Sequence, residues 1–281
     1  MRFALLLALA VPAAALPAAP AAATAAAFAP TRFSVEVVGE GPDVILVPGL
    51  TSSSRVWQST VATVPGYRYH LIQVAGFAGA PARGNAQGAV VAPLADEIAR
   101  YIAANHLSRP AIVGHSMGGT LALMVAARHP DRVGRVMVVD MLPQPAELLG
   151  ASASTIGGLA DTLSDFGNTA FGRSLIQSAI RVFGNDRVAN SRSDPDVVVR
   201  ATHELACTDL TPELPRIRAP LTVVYASPDP ALGPAADSVY RTAYAADREA
   251  RLVRIDGSGH MIMADQPRRF AAELKRFLGG S

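Results

Sequence analysis

The chain has 281 residues, which is enough for one large α/β domain or two small ones. Of these residues 50% are hydrophobic and 17% are charged, which is a globular composition. Its formal net charge is only +2, and its basic residues are scattered along the sequence. That distribution excludes the basic surface expected of a nucleic-acid-binding protein. The single cysteine, Cys207, excludes an intrachain disulfide, and we expect it to be a buried apolar neighbour or an idle thiol rather than a nucleophile.

The N-terminal residues have the pattern of a secretory signal. Met1-Arg2 is a short positive start, Phe3 to Leu16 is an apolar run, and Ala and Pro dominate from Pro17 to Ala29. The run is shorter than a membrane span and is interrupted by Pro12. We therefore expect residues 1–27 to be a signal peptide and an Ala/Pro-rich spacer. The mature protein would then be periplasmic or secreted, without a stable membrane span; the competing interpretation is an uncleaved anchor or a disordered tail.

Short apolar runs alternate with helical spacing over the first half of the remaining chain. The predicted strands are Phe33 to Val38, Val44 to Val47, Tyr69 to Val74, Ala111 to Val113 and Val136 to Val139. Helical spacing covers Arg55 to Val64, Ala92 to Asn105 and the residues after Ser116. This alternation predicts an α/β fold with a mostly parallel sheet and helices on both faces.

The alternation stops between Leu142 and about Arg218. This segment has no strand-like run, and a structureless loop of such length is implausible in a compact domain. We expect a helical insertion there, with helices over Phe171 to Phe183 and Asp196 to Cys207. Afterwards the strand and helix pattern resumes, with strands over Pro220 to Ala226 and Leu252 to Ile255, and helices over Ala235 to Ala246 and Gln266 to Leu278.

The pattern Gly114-His-Ser-Met-Gly118 lies between a predicted strand and a predicted helix. Such a turn is so sharp that its serine adopts a strained backbone conformation with an exposed hydroxyl, and glycines on either side avoid clashes. We therefore predict Ser116 as a nucleophile. The N–H of Met117, at the positive end of the helix, would help to bind an oxyanion. His115 should point away from the nucleophile, as a structural or pocket-lining residue.

A serine hydroxyl needs a base, and the base needs a carboxylate to fix its tautomer. Of the six histidines only His260 follows the last predicted strand on a loop, which makes it the predicted base. Asp229 and Asp140 each follow a predicted strand, and either preserves the order Ser, Asp, His. We favour Asp229 and keep Asp140 as the alternative, with Asp237 and Asp256 as weaker candidates.

The loop after the second strand carries Gly49 and small hydroxyl residues, which suits backbone N–H groups turned toward a ligand. We predict the N–H of Leu50 as the second oxyanion donor, with Thr51 next. A mainly apolar substrate pocket would be formed by the insertion together with Thr51, Trp57, Phe77, Met261 and Ile262.

These motifs together resemble the α/β-hydrolase superfamily from Phe33 to Leu278. The matching pieces are Val47-Pro-Gly-Leu-Thr-Ser-Ser-Ser-Arg-Val-Trp57, Ala75-Gly-Phe-Ala-Gly79, Val113-Gly-His-Ser-Met-Gly-Gly119, Arg128-His-Pro-Asp131, Ser227-Pro-Asp229 and Gly259-His260. The resemblance implies an eight-stranded, mostly parallel sheet. It also implies a helical cap after the sixth strand, here about residues 142–215 of a domain spanning 28–281, and a Ser-His-Asp triad.

The resemblance further implies transfer of an acyl group to water through an acyl-enzyme, without a metal or an organic cofactor. We expect a secreted serine hydrolase acting on a small-molecule carboxylic ester. The same triad on a lactone, an amide or peptide, or a carbon–carbon bond is the first alternative, and a non-catalytic binding protein is the second. Two departures from the family pattern matter. Pro48 stands where a His is usual, so any role of that His side chain is absent. Ala226 stands where a Gly is usual and Asp229 is bracketed by prolines, which keeps Asp140 open as the acid.

Overall fold

The computed structural model describes residues 28–149 and 192–279. The predicted signal segment, the predicted helix over Phe171 to Phe183 and much of the predicted cap lie outside these residues. Within them, no helix is long and apolar enough to cross a membrane.

The described residues form one seven-stranded sheet in the order β1-β3-β2-β4-β5-β6-β7. The strands are β1 (Phe33–Val38), β2 (Asp43–Val47), β3 (Arg68–Val74), β4 (Ala111–His115), β5 (Arg135–Val139), β6 (Leu221–Ser227) and β7 (Arg251–Asp256). β1 pairs antiparallel with β3 at one edge, and the remaining pairs are parallel. The predicted fold is confirmed.

The expected strand count and cap position need a small correction. Residues 28–32 precede the edge strand without forming a strand of their own, so the described sheet has seven strands rather than eight. For the same reason, the insertion follows the fifth described strand, β5, rather than the sixth.

Helices cover both faces of the sheet. They are α1 (Gln58–Thr63), α2 (Val91–Ala104), α3 (Met117–Arg128), α4 (Pro195–Cys207), α5 (Gly233–Ala243), α6 (Ile262–Asp265) and α7 (Pro267–Gly279). Ile45 and Val47 of β2 belong to the hydrophobic cluster that contains α2 and α3 residues, whereas Val44 and Leu46 belong to the cluster that contains α7 residues. The central strands are therefore apolar on both faces, as buried parallel strands require.

Glycines allow α3 to start very close to the sheet. A Cβ atom on Gly114 would overlap the carbonyl oxygen of Gly118, and a Cβ atom on Gly118 would overlap the carbonyl oxygen of Val47. Since β2, β4 and β5 are parallel, the residues after their carboxyl ends all meet at this same edge of the sheet.

The described end of the insertion is anchored to the loop that follows β3. Asp194 caps α4 with its side chain, and its backbone N–H donates to the carbonyl oxygen of Gly76 at 2.7 Å. The Glu204 carboxylate accepts hydrogen bonds from the backbone N–H groups of Val90 and Val91 at 2.6 and 2.9 Å. α4, which matches the helix predicted over Asp196 to Cys207, is thus fixed beside the start of α2.

Candidate active site

Ser116 occupies the tight turn between β4 and α3. Its φ of 54° and ψ of −123° are a strained conformation for a residue with a side chain. The turn is held by the Ser116 N–H, which donates to the carbonyl oxygen of Val139 at 2.9 Å, and by the Gly119 N–H, which donates to the Ser116 carbonyl at 2.7 Å. The strand, turn and helix expected from the sequence are thus present, and Ser116 is 6% exposed.

His260 and Asp140 form a hydrogen-bonded pair at the same edge of the sheet. Nδ1 of His260 lies 2.8 Å from Oδ2 of Asp140, and both side chains are largely buried. Asp140 directly follows β5 with a φ of +53°, and His260 lies on the loop after β7. Because the ionised carboxylate only accepts, Nδ1 of His260 carries the proton, and Nε2 is the nitrogen that remains for other chemistry.

Two further donors hold the Asp140 carboxylate. Its Oδ1 accepts a hydrogen bond from the Ala226 N–H at 2.9 Å and from the Tyr240 hydroxyl at 3.0 Å. Ala226 lies in β6, the strand beside β5, and Tyr240 lies on α5. The carboxylate is therefore fixed from three elements, with one oxygen for His260 and the other for the scaffold.

The structure corrects the preference for Asp229 as the partner of His260. Asp229 is exposed, and its Oδ1 accepts a hydrogen bond from the Ala231 N–H at 2.8 Å. It caps the short 3₁₀ helix that Pro230 opens, so the proline-bracketed segment is a self-contained turn. Asp237 and Asp256 both contact Arg254 instead.

The predicted oxyanion loop lies against the nucleophile. A Cβ atom on Gly49 would come within 3.1 Å of the Ser116 Cβ and 3.0 Å of the His115 ring. Thr51 is buried with a φ of +60°, and its hydroxyl donates to the Leu50 carbonyl at 2.6 Å. That carbonyl is therefore engaged within the loop itself. On the other side of Ser116, Met117 opens α3, where the first N–H groups have no partner within the helix.

His115 braces the loop that carries His260. Its Nε2 lies 2.9 Å from the His260 carbonyl oxygen, and the two rings lie 4.6 Å apart between centroids. Because a carbonyl only accepts, Nε2 of His115 is the protonated nitrogen. Burial, and next the charge of His260, lower the pKa of His115 to about 3 from an ordinary 6.5. His115 is therefore a neutral residue that supports the loop carrying His260.

This buried histidine predicts a pH-dependent contribution to stability. Below pH 6.5 the unfolded chain protonates His115 while the folded chain does not, so stability falls by about 1.4 kcal/mol per pH unit toward pH 3. His115→Gln keeps a donor amide but cannot titrate. Between pH 7 and pH 5 the variant should lose about 2 kcal/mol less stability than the wild type. Urea unfolding at both pH values measures this, and parallel losses would contradict it.

The residues predicted to line the substrate pocket are all buried, but they contact different parts of the protein. Trp57, Met261 and Ile262 belong to the hydrophobic cluster that contains α7 residues, and the Trp57 ring packs against Phe270 at 6.1 Å between centroids. Trp57 and Ile262 are fully buried and contribute to the hydrophobic core, and their role in a substrate pocket stays a prediction. The sequence alone could not distinguish pocket residues from core residues at these positions, because an apolar side chain on a short helical turn is compatible with both.

Thr51 and Phe77 lie next to the returning end of the insertion instead. The Ser193 hydroxyl donates to the Thr51 carbonyl at 3.4 Å and accepts from the Ala78 N–H at 3.0 Å. Phe77 is fully buried in the cluster that also contains Val197 of α4. These two predicted pocket residues thus lie where the insertion meets the edge of the sheet that carries Ser116.

Comparison with known proteins agrees with this architecture. A family model described as "Alpha/beta hydrolase family" matches residues 44–273. The chain is 26% identical over 260 residues to a pimeloyl-[acyl-carrier protein] methyl ester esterase of Aeromonas hydrophila, with 88% of this chain and 99% of that protein covered. It is 27% identical over 205 residues to the enzyme of the same name from Vibrio atlanticus, with 67% and 77% covered.

A solved structure shares the fold. The enol-lactonase from Burkholderia xenovorans LB400 superposes with a TM-score of 0.66 at 20% identity, covering 88% of this chain and 96% of that chain. Since the family model spans most of the chain, the protein belongs to the alpha/beta hydrolase family. The esterases among its relatives support a hydrolase.

Proposed function

We propose that this protein is a serine hydrolase that cleaves a carboxylic ester through an acyl-enzyme on Ser116. The observation that carries the proposal is the 2.8 Å contact between His260 Nδ1 and Asp140 Oδ2, at the edge where the strained Ser116 turn also lies. Such a pair is the base and the orienting acid that a serine nucleophile requires. The names of the relatives, methyl ester esterases, support an ester as the substrate.

In the first half-reaction His260 takes the Ser116 proton through Nε2, because Nδ1 is bound to Asp140. The Ser116 oxygen bonds to the ester carbonyl carbon, and the carbonyl oxygen becomes an oxyanion. The N–H groups of Leu50 and Met117 bind that oxyanion, and each such donor typically lowers the barrier by about 3 kcal/mol. Protonated His260 then gives its proton to the leaving alcohol, and the ester C–O bond breaks.

In the second half-reaction water replaces the alcohol. His260 takes a proton from the water, whose oxygen attacks the acyl carbon and displaces Ser116, which recovers its proton. Asp140 stays ionised in both halves, and it stabilises the imidazolium and fixes the ring orientation. The products are a carboxylic acid and an alcohol.

We also propose that the mature protein works outside the cytoplasm. The positive start, the short apolar run and the Ala/Pro-rich stretch of residues 1–27 support this location. N-terminal sequencing of protein purified from its native host should find a mature chain that starts after the apolar run. A chain that begins at Met1 would contradict the proposal.

The ester hydrolase proposal is tested with p-nitrophenyl esters of increasing acyl length and with methyl esters of the same acids. We expect hydrolysis within both series, with a preference in acyl length set by the insertion. A folded protein that cleaves none of these esters would contradict the proposal. If the protein cleaves only lactones, amides or carbon–carbon bonds, the proposed triad would stand, but the ester would be the wrong substrate bond.

A further inference from the structure

We propose that Tyr240 is a positioning residue of the catalytic machinery, whose hydroxyl holds the Asp140 carboxylate in the orientation that His260 needs. This inference rests on the proposed function and deepens it by adding a fourth side chain to the triad. The sequence around Tyr240 has no local signal of such a role, because a tyrosine on a helix that covers the sheet is common.

The Tyr240 hydroxyl contacts the Asp140 carboxylate directly. The Tyr240 hydroxyl lies 3.0 Å from Asp140 Oδ1, and Tyr240 is only 5% exposed. Burial, together with the Asp140 charge, raises the pKa of the Tyr240 phenol well above its usual range. The phenol therefore keeps its proton, and towards an ionised carboxylate it acts as a donor. Hydrogen bonds to charged groups are the strong ones, especially away from water.

The Tyr240 ring is held between two other tyrosine rings. Tyr240 stacks on Tyr225 at 4.1 Å between centroids with an interplanar angle of 14°, and on Tyr244 at 6.5 Å with an angle of 5°. The three hydroxyls bind three different acceptors: Asp237 at 2.7 Å for Tyr225, Asp140 at 3.0 Å for Tyr240, and the Met141 carbonyl oxygen at 2.8 Å for Tyr244. The stack thus directs one hydroxyl at the catalytic carboxylate.

The two oxygens of the Asp140 carboxylate bind different partners. Oδ2 accepts from His260, while Oδ1 accepts from Tyr240 and from the Ala226 N–H. The backbone donor from β6 and the side-chain donor from α5 together fix the rotation of the carboxylate about its last bond. Without the phenol, Ala226 alone would hold Oδ1, and the carboxylate plane would be less well defined.

The charged and titratable groups around this site are few within the described residues. His260 faces Asp140 from the loop after β7, and His115 faces His260 from the end of β4. Tyr240 contacts Asp140 from α5, with Tyr244 directly after α5 and Tyr225 of β6 on either side of its ring. Removing the phenol donor leaves more of the carboxylate charge for the His260 bond. The imidazolium should then be favoured, and the acid limb of kcat/KM should move to higher pH.

The structure provides a matched pair of variants for the test. Tyr240→Phe removes the hydroxyl that binds Asp140, whereas Tyr244→Phe removes an equally buried hydroxyl of the same stack that binds a backbone carbonyl. On a p-nitrophenyl ester that the wild type cleaves, we expect Tyr240→Phe to lower kcat by roughly 10- to 100-fold with little change in KM. Its acid limb should shift upward, while Tyr244→Phe keeps both the kcat and the pH profile of the wild type.

Melting temperatures establish that both variants are folded. If Tyr240→Phe is partly unfolded, the pH profile of the remaining activity still tests the inference, because a packing defect alone would not move the acid limb. Equal kcat values and identical pH profiles for the Tyr240 variant, Tyr244→Phe and the wild type would overturn the inference alone. Equal losses in both variants would also overturn it, because they would reflect general support by the stack. A wild type without Ser116-dependent hydrolysis would instead contradict the proposed function, and the inference with it.

Discussion

Replacement of Ser116 by Ala is expected to lower kcat for ester hydrolysis by about 10⁶-fold, the scale observed when a triad nucleophile is removed. The alanine has no hydroxyl to form the acyl-enzyme, although the oxyanion donors and the base would remain. KM should change little, because the Ser116 side chain contributes mainly in the transition state. Steady-state kinetics on the best p-nitrophenyl ester measures the effect.

The matched control for this variant is Ser59→Ala, on the exposed surface of α1. It should retain wild-type kcat and KM. Ser116→Ala should also remain folded, because alanine at the same strained turn introduces no new atoms. Hydrolysis by Ser116→Ala within tenfold of the wild type would mean that another group performs the attack.

Asp140→Asn is expected to lower kcat by roughly 10⁴-fold, because an amide at this position no longer stabilises the imidazolium or the correct His260 tautomer. The effect should be far larger than any packing defect, since the asparagine has almost the same size as the aspartate. Stopped or continuous assays at pH 7 to 8 give kcat directly. Thermal melting should show that the variant is folded.

Asp229→Asn is the control for this second prediction. Asp229 is exposed and bound to the Ala231 N–H, so its amide variant should keep kcat within about twofold of the wild type. A large loss in Asp229→Asn with only a mild loss in Asp140→Asn would transfer the role of the acid to Asp229. The contact between Asp140 and His260 would then be structural only.

The proposed nucleophile and the proposed base could be predicted from the sequence because their signals are local. Ser116 sits between an apolar run and a helical pattern, with glycines that only a close approach of helix and sheet requires. His260 is the histidine that follows the last predicted strand. Both features depend on residues adjacent in the chain, and the parallel sheet then brings the strand ends together.

The carboxylate that contacts His260 could not be predicted from such local signals. Asp140 and Asp229 each follow a strand, and β5 and β6 are neighbours in the sheet. What separates them is side-chain direction: the Asp140 carboxylate meets His260, whereas Asp229 turns back onto Ala231 between two prolines. Tyr240 is a further example, because its contact with Asp140 joins residues 100 positions apart and has no signature in either segment.

The substrate pocket was the least predictable part of the site. Apolar residues near a catalytic loop serve a core and a pocket equally well by composition, and Trp57 turned out to pack against Phe270 of α7. Specificity of an ester hydrolase depends on the shape of its apolar pocket, and we expect the insertion between β5 and β6 to supply part of that shape. The sequence of the insertion has a helical pattern, but it has no motif that indicates which bond is cleaved or which acyl chain is bound.

Reaction of the folded protein with a fluorophosphonate tests the proposed role of Ser116, because this reagent attaches covalently to a serine that a neighbouring base activates. We predict a single addition per chain by intact mass, mapped to the peptide that contains Ser116, and no addition to Ser116→Ala. Asp140→Asn should label much more slowly than Asp229→Asn. A folded wild-type protein that remains unlabelled, or that carries the label on another residue, would contradict the proposal that Ser116 is the nucleophile.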